Sequence, residues 1–185
     1  MYDDEVLPPL GIVPVVGRGA LPYALVHGES LVACASWALG EAEVDLVDFN
    51  VEWPQLRESG RPLVLHDPLC PLTPAAFLVA AIERAAAEDQ VVVGVRPVTD
   101  TVKRLDGDRV GATVDRESLL QVASPIVIPA RVLAGLTEAP DLSDLAALAS
   151  ALREVTTVCW LEAPATARRI CEESEIELLE AISHA

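Results

Sequence analysis

The stretch VVVGVRPVTDTVKRLDGDRVGATVDR, residues 91–116, decides how this chain is read. Its first five residues are almost continuously apolar, the pattern of a strand buried on both faces, as in a parallel sheet covered by helices. Two extended polar runs then flank Asp106-Gly107-Asp108, a hairpin turn signal. Neither parity of the first run is apolar: Val98, Asp100, Val102 and Arg104 alternate with Thr99, Thr101, Lys103 and Leu105. A two-stranded ribbon without an apolar face is marginal in water by itself. The residues therefore predict a buried strand leading into a charged arm that must lean on something else.

Working outward, the same alternation of buried strands and helices recurs. Leu10–Val16 is a short apolar run ending at Gly17, followed by a loop. The segment 30–39 reads as a helix capped by Ser30 and stopped by Gly40, and residues 44–49 and 62–66 read as strands separated by a loop at 50–61. Thr73-Pro74 opens a helix running to about Asp89, with Thr73 as its cap. Beyond the arm, 124–129 is extended and 130–136 is a short helix. Ser143 is expected to cap the next helix, 155–162 is a strand, and 172–183 is a last helix with an acidic start. The order predicts an α/β fold of one domain over residues 1–185. It is a three-layer, Rossmann-like sandwich around a mostly parallel sheet, with the hairpin arm at 97–116 protruding. In such sheets ligands bind beyond the carboxyl ends of the strands. That places the segments after Val16, after His66 and after Val95 around one mouth.

Bulk composition narrows the partners. Of 185 residues, 51% are hydrophobic but only 4% aromatic, so the interior is built from Ala, Val and Leu. A formal charge of −16 disfavours nucleic acid and anionic membrane surfaces, while leaving room for a small anion held by local arginines. No apolar run is long enough for a membrane span. The acidic start Met1-Tyr2-Asp3-Asp4-Glu5 is unlike a signal peptide, so the expected location is cytoplasmic. Cys34, Cys70, Cys159 and Cys171 lack metal-site spacing and are expected to be reduced and at least partly buried.

Several residues could carry chemistry. Gly17-Arg18-Gly19 after the first strand could present backbone N–H groups and a guanidinium to a nucleotide phosphate, or be simply a tight turn, the commoner outcome. Asp67 after the third strand could hold Mg²⁺ or cap the turn before Pro68. Arg96, Lys103, Arg104, Arg109 and Arg116 make the arm either an anion-binding element or a solvated ribbon guarded against aggregation. His27 and His184 have no inferable Ser or Cys partner. Trp37, Trp53 and Trp160 are expected at the core or its rim.

Together these residues resemble the 2-C-methyl-D-erythritol 4-phosphate cytidylyltransferase family. The family pattern P-V-x-D-T-x-K, a turn, then T-V-D-R is matched by Pro97-Val98, Asp100-Thr101, Lys103 and Thr113-Val114-Asp115-Arg116. Ser124-Pro125-Ile126 is close to the family's T-P-Q. The resemblance implies a nucleotidyltransferase-like fold and a homodimer in which the arm hooks the other subunit. In that family the arm's threonine and arginine help hold a phosphorylated polyol in the neighbouring site, which implicates Thr101 and Arg116. It further implies Asp67 and Asp144 as Mg²⁺ candidates, if the chain is active, and Arg169 as a phosphate-binding base.

The departures weigh as much as the matches. The family's nucleotide loop ends in Pro-Lys-Gln, whereas here Gly17-Arg18-Gly19 runs almost at once into Pro22-Tyr23-Ala24. Tyrosine stands for the lysine, and Cys70 stands for the arginine of the family's H-D-A-A-R-P. The stretch NVEWPQLRESGRP, residues 50–62, has no counterpart of the base-recognition segment. Such cationic groups act mainly in the transition state, and losing one typically costs orders of magnitude in rate. The expectation is a diverged, non-catalytic homodimer. It would act as a binding or regulatory paralogue, able to take a small phosphorylated ligand or to pair with an active paralogue. The alternative is a working Mg²⁺- and CTP-dependent enzyme with substitute residues.

Overall fold

The computed structural model describes residues 7–47 and 50–183. In chain order the strands and helices are β1 (Leu10–Ile12), β2 (Leu25–Val26), β3 (Glu29–Ser30), α1 (Leu31–Glu41), β4 (Asp45–Leu46), α2 (Trp53–Glu58), β5 (Leu63–Leu65) and α3 (Ala75–Glu88). They continue with β6 (Val91–Pro97), β7 (Val102–Asp106), β8 (Arg109–Val114), β9 (Leu120–Ile128), α4 (Ala130–Gly135), α5 (Leu145–Val155), β10 (Val158–Glu162) and α6 (Ile176–Ser183).

The main sheet has six strands in the order β10-β6-β9-β5-β1-β4. All neighbours are parallel except β9, which runs antiparallel between β5 and β6. The expected mostly parallel sandwich is therefore present. Alternate residues of the central strands feed two cores. Val91, Val93, Ile126 and Ile128 face α5 and α4, whereas Val92 and Val127 face α1 and α3. Burial on both faces is why β6 reads as an uninterrupted apolar run. Gly94 interrupts it for a steric reason: a Cβ there would lie 2.5 Å from Ser124 O. The β6–β9 register shifts at this point, between Val93 and Val95, and the bulge brings backbone too close for any side chain.

The arm is a separate two-stranded sheet, β7–β8. Leu105 and Val110 pair across it and are both largely exposed. Within the described chain the ribbon thus has the bare faces that its sequence implies.

Several local expectations are corrected. Residues 50–61 are not all loop: α2 forms because Pro54 sits in its first turn, where no N–H is missed, and Glu52 and Gln55 make a reciprocal capping box. The cap of α5 is Asp144, one residue after Ser143; its Oδ1 accepts from Ala146 N and Ala147 N. Thr73 does not cap α3. Pro74 occupies that position, and Thr73 Oγ1 donates to Cys70 O. Gly40 does not stop α1, which is capped at Ala42. Cys171 is exposed rather than partly buried, and all four cysteines are free thiols. The second expected strand is only Asp45–Leu46, and its expected continuation at 48–49 lies outside the described residues, as does His184. No helix among the described residues is long and apolar enough to cross a membrane.

Candidate functional site

The mouth predicted at the carboxyl ends of β1 and β5 is filled by the chain's own ions. Asp67 follows β5 and is buried, with its side chain 2% exposed. Arg18 Nε donates to Asp67 Oδ1 at 2.8 Å, and Arg169 Nε donates to Asp67 Oδ2 at 3.0 Å. Arg18 is itself buried and donates from Nη1 to Val16 O and Leu142 O. Its Nη2 is buried without a partner among the described residues. The loop that carries Arg18 is pressed against the segment before α5: a Cβ on Gly17, which has φ +78°, would meet Ser143 Cβ at 2.6 Å. The glycine is required there by both conformation and space. Gly19 also has positive φ, so the Gly-Arg-Gly turn is tight, and its arginine points inward onto Asp67.

Asp67 is held from a third side. Its backbone N–H donates to Ser124 Oγ at 3.0 Å, and the same hydroxyl shares a hydrogen bond with His66 Nδ1. Burial pulls the His66 imidazole down to about 4, against the opposing effect of Asp67, so the ring is neutral near pH 7. Burial pushes the thiol of Cys70 well up, leaving a neutral group where the resemblance places an arginine.

Beside this triad lies a cleft of about 680 Å³ between α5 and the β9–β10 side of the sheet. Asp67, Asp144 and Arg169 all line it. Arg18 stands behind Asp67. Thr101 and Arg116 do not line it: both are exposed on the arm or at its base, where Arg116 Nη1 donates to Thr99 O at 2.8 Å. Trp160 and Arg153 also line the cleft. Sequence reasoning overlooked their pairing, although the signal was present: Ala146, Ala149, Ser150 and Arg153 share one helical face, and Trp160 shares a strand face with the core residue Val158.

Mg²⁺ needs near-octahedral oxygen ligation. Each oxygen of Asp67 already faces a guanidinium, and Asp144 Oδ1 is committed to two backbone N–H groups. Among the described residues no three His, Cys, Asp or Glu side chains converge as a metal-binding group. The donors present do not fit the ion.

The sequence model of the family described as IspD: 2-C-methyl-D-erythritol 4-phosphate cytidylyltransferase matches residues 54–158. The chain belongs to the IspD family. Over 98 residues it is 38% identical to the 2-C-methyl-D-erythritol 4-phosphate cytidylyltransferase of Halorhodospira halophila, a match covering 53% of this chain and 39% of that enzyme. A second match, to the enzyme of the same name from Neisseria meningitidis, is 32% identical over 93 residues, covering 50% of this chain and 41% of the relative. The chain thus spans about two fifths of the length of these curated relatives. The similarity to the IspD crystal structure from Thermus thermophilus extends further, over 95% of this chain and 98% of that one, with a TM-score of 0.68 at 20% identity. This establishes the nucleotidyltransferase-like fold beyond residues 54–158, including the region where the IspD nucleotide loop would lie.

Proposed function

We propose that this IspD-family chain is a homodimeric, non-catalytic binding or regulatory relative of the cytidylyltransferases, taking a small phosphorylated ligand rather than turning over CTP. The observation that carries the reading is the Arg18–Asp67–Arg169 triad. The short loop supplies one guanidinium, and that guanidinium is spent on a buried carboxylate instead of facing a triphosphate. Tyr23 and Cys70 offer no replacement cation. Phosphoryl transfer relies on positioned positive charge, and here the charge nearest the mouth is internally neutralised.

Arg169 is the best remaining phosphate ligand. Its side chain is 31% exposed; its Nε is committed to Asp67 and its Nη1 donates to Cys171 Sγ at 3.9 Å. Thr101 and Arg116 would join it from the arm of a second subunit. The dimer reading is supported by the bare ribbon, since β7–β8 with Leu105 and Val110 exposed is a marginal structure until covered. Pairing with an active paralogue would use the same arm, and a cytoplasmic location fits both partners.

The competing reading is an active cytidylyltransferase. It is favoured by the presence of Asp67, Asp144 and Arg169 in one cleft. Thermal unfolding with excess CTP and Mg²⁺ separates the two. A ligand at 100 times its dissociation constant adds about 2.7 kcal/mol. The non-catalytic reading expects no shift with CTP and no pyrophosphate release with the polyol phosphate. Turnover at an ordinary enzymic rate refutes it.

A further inference from the structure

The cleft is long, and its far end is chemically distinct from the triad. From Asp144 to Arg153 the wall follows nine residues of α5, about 13.5 Å of helix at 1.5 Å per residue. Ala146 and Ala149 line that wall, with Leu120 and Val122 of β9 also contributing apolar surface. At the far end stand Arg153 and Trp160. Trp160 is 39% exposed although it lies on the edge strand's inward face with Val158, so its indole is presented to the cleft rather than packed away. The Arg153 side chain makes no hydrogen bond or ion pair among the described residues. The guanidinium and the half-open indole thus line one cleft in a chain with a net charge of −16.

We propose that this end of the cleft binds a flat aromatic anion, its ring lying on Trp160 and its acid group paired with Arg153. The inference deepens the reading above, and rests on it in one respect: that the same cleft takes a phosphate at Arg169. The physical basis is simple. Aromatic faces prefer offset stacking, and this adds to the area they remove from water. A guanidinium offers planar, forked donors to a carboxylate, sulfonate or phosphate. The alanines of α5 keep the intervening wall low enough for a ring to lie along it. A polyol phosphate would use neither the indole nor the apolar wall, so the ligand class indicated is an aryl phosphate or a comparable aromatic acid.

The test uses the full chain and two probes, inorganic phosphate and 1-naphthyl phosphate, followed by isothermal titration calorimetry. The expected result is that 1-naphthyl phosphate binds at least about tenfold more tightly than inorganic phosphate. Trp160→Ala should abolish that advantage while Trp160→Phe retains most of it, and Arg153→Gln should weaken 1-naphthyl phosphate about tenfold. Far-ultraviolet circular dichroism and the unfolding midpoint of each variant establish that it is folded. If inorganic phosphate binds in an Arg169-dependent way but 1-naphthyl phosphate gains nothing, the aromatic site is refuted and the phosphate-binding reading survives. If neither probe binds, both fall. If 1-naphthyl phosphate binds through Trp160 and Arg153 while Arg169→Ala leaves the binding of inorganic phosphate unchanged, the aromatic site stands and the phosphate reading at Arg169 is refuted.

Discussion

Replacing Arg18 tests the central ion triad directly. Arg18→Met preserves much of the side-chain volume but removes the cation. In the structure that side chain is 1% exposed and its partner Asp67 is 2% exposed, so neither group can recover water without movement. The substitution also strips donors from Val16 O and Leu142 O. Breaking one side of a buried ion pair costs about 3–5 kcal/mol. Arg169 still neutralises Asp67 from its other oxygen, so the lower end, about 3 kcal/mol, is expected. In a chain of this length that corresponds to a fall of about 6–12 °C in Tm. Asp67→Asn strands the buried Arg18 and should cost about as much. The informative quantity is the coupling. With both substitutions present no unpaired charge is left between these two positions, so the double variant should cost about 2 kcal/mol less than the sum of the single ones. Urea unfolding at pH 7, with unchanged m-values as the check on two-state behaviour, measures all four corners of the cycle. Additivity within about 0.5 kcal/mol refutes the claim that Arg18 is held by Asp67. It also removes the main support for a self-neutralised mouth.

Other outcomes follow from the same structure. His66 is buried and neutral with its pKa lowered from 6.5 to about 4, so the unfolded chain takes up a proton in this window that the folded chain refuses. Stability therefore falls as pH drops from about 6.5 towards 4, by roughly 3 kcal/mol in all. His66→Gln should flatten that slope, and an unchanged slope would show that other groups carry it. Gly94→Ala forces a Cβ into the backbone of Ser124 at 2.5 Å and should cost about 3 kcal/mol, read as a shift in urea midpoint; a neutral outcome would mean the β6–β9 bulge relaxes freely. Deleting residues 99–115 should give a monomer or an insoluble chain by light scattering, whereas a well-behaved dimer would place the interface elsewhere.

The sequence disclosed the parts governed by short-range pattern. The apolar run of β6 and the hairpin turn at Asp106-Gly107-Asp108 each lie within a few residues of their cause, and both were legible. So was the family, because its arm motif is contiguous. The α2 helix was missed because Pro54 and Gly60 look like breakers, although a proline in the first helical turn breaks nothing. Arg18 was visible as a cation after β1, but its destination was not: Asp67 is 49 residues away, and no local rule states which way a loop arginine turns. The Trp160–Arg153 end of the cleft escaped notice for a similar reason. It is created by one helix position and one strand position lining the same cleft, and each looks ordinary where it stands.

Strand β9 connects two regions that would otherwise be independent. Its inner half is clamped between β5 and β6, with Ile126 and Val127 in ladder contact with both. Its outer half pairs Leu120 and Gln121 with Pro97 and Arg96, forming the stalk from which the arm rises, while Gln121 and Val122 also line the cleft. The arm is thus rooted in the cleft wall like the handle of a lever whose fulcrum is the sheet. Whatever grips the ribbon therefore holds on to the same strand that lines the cleft.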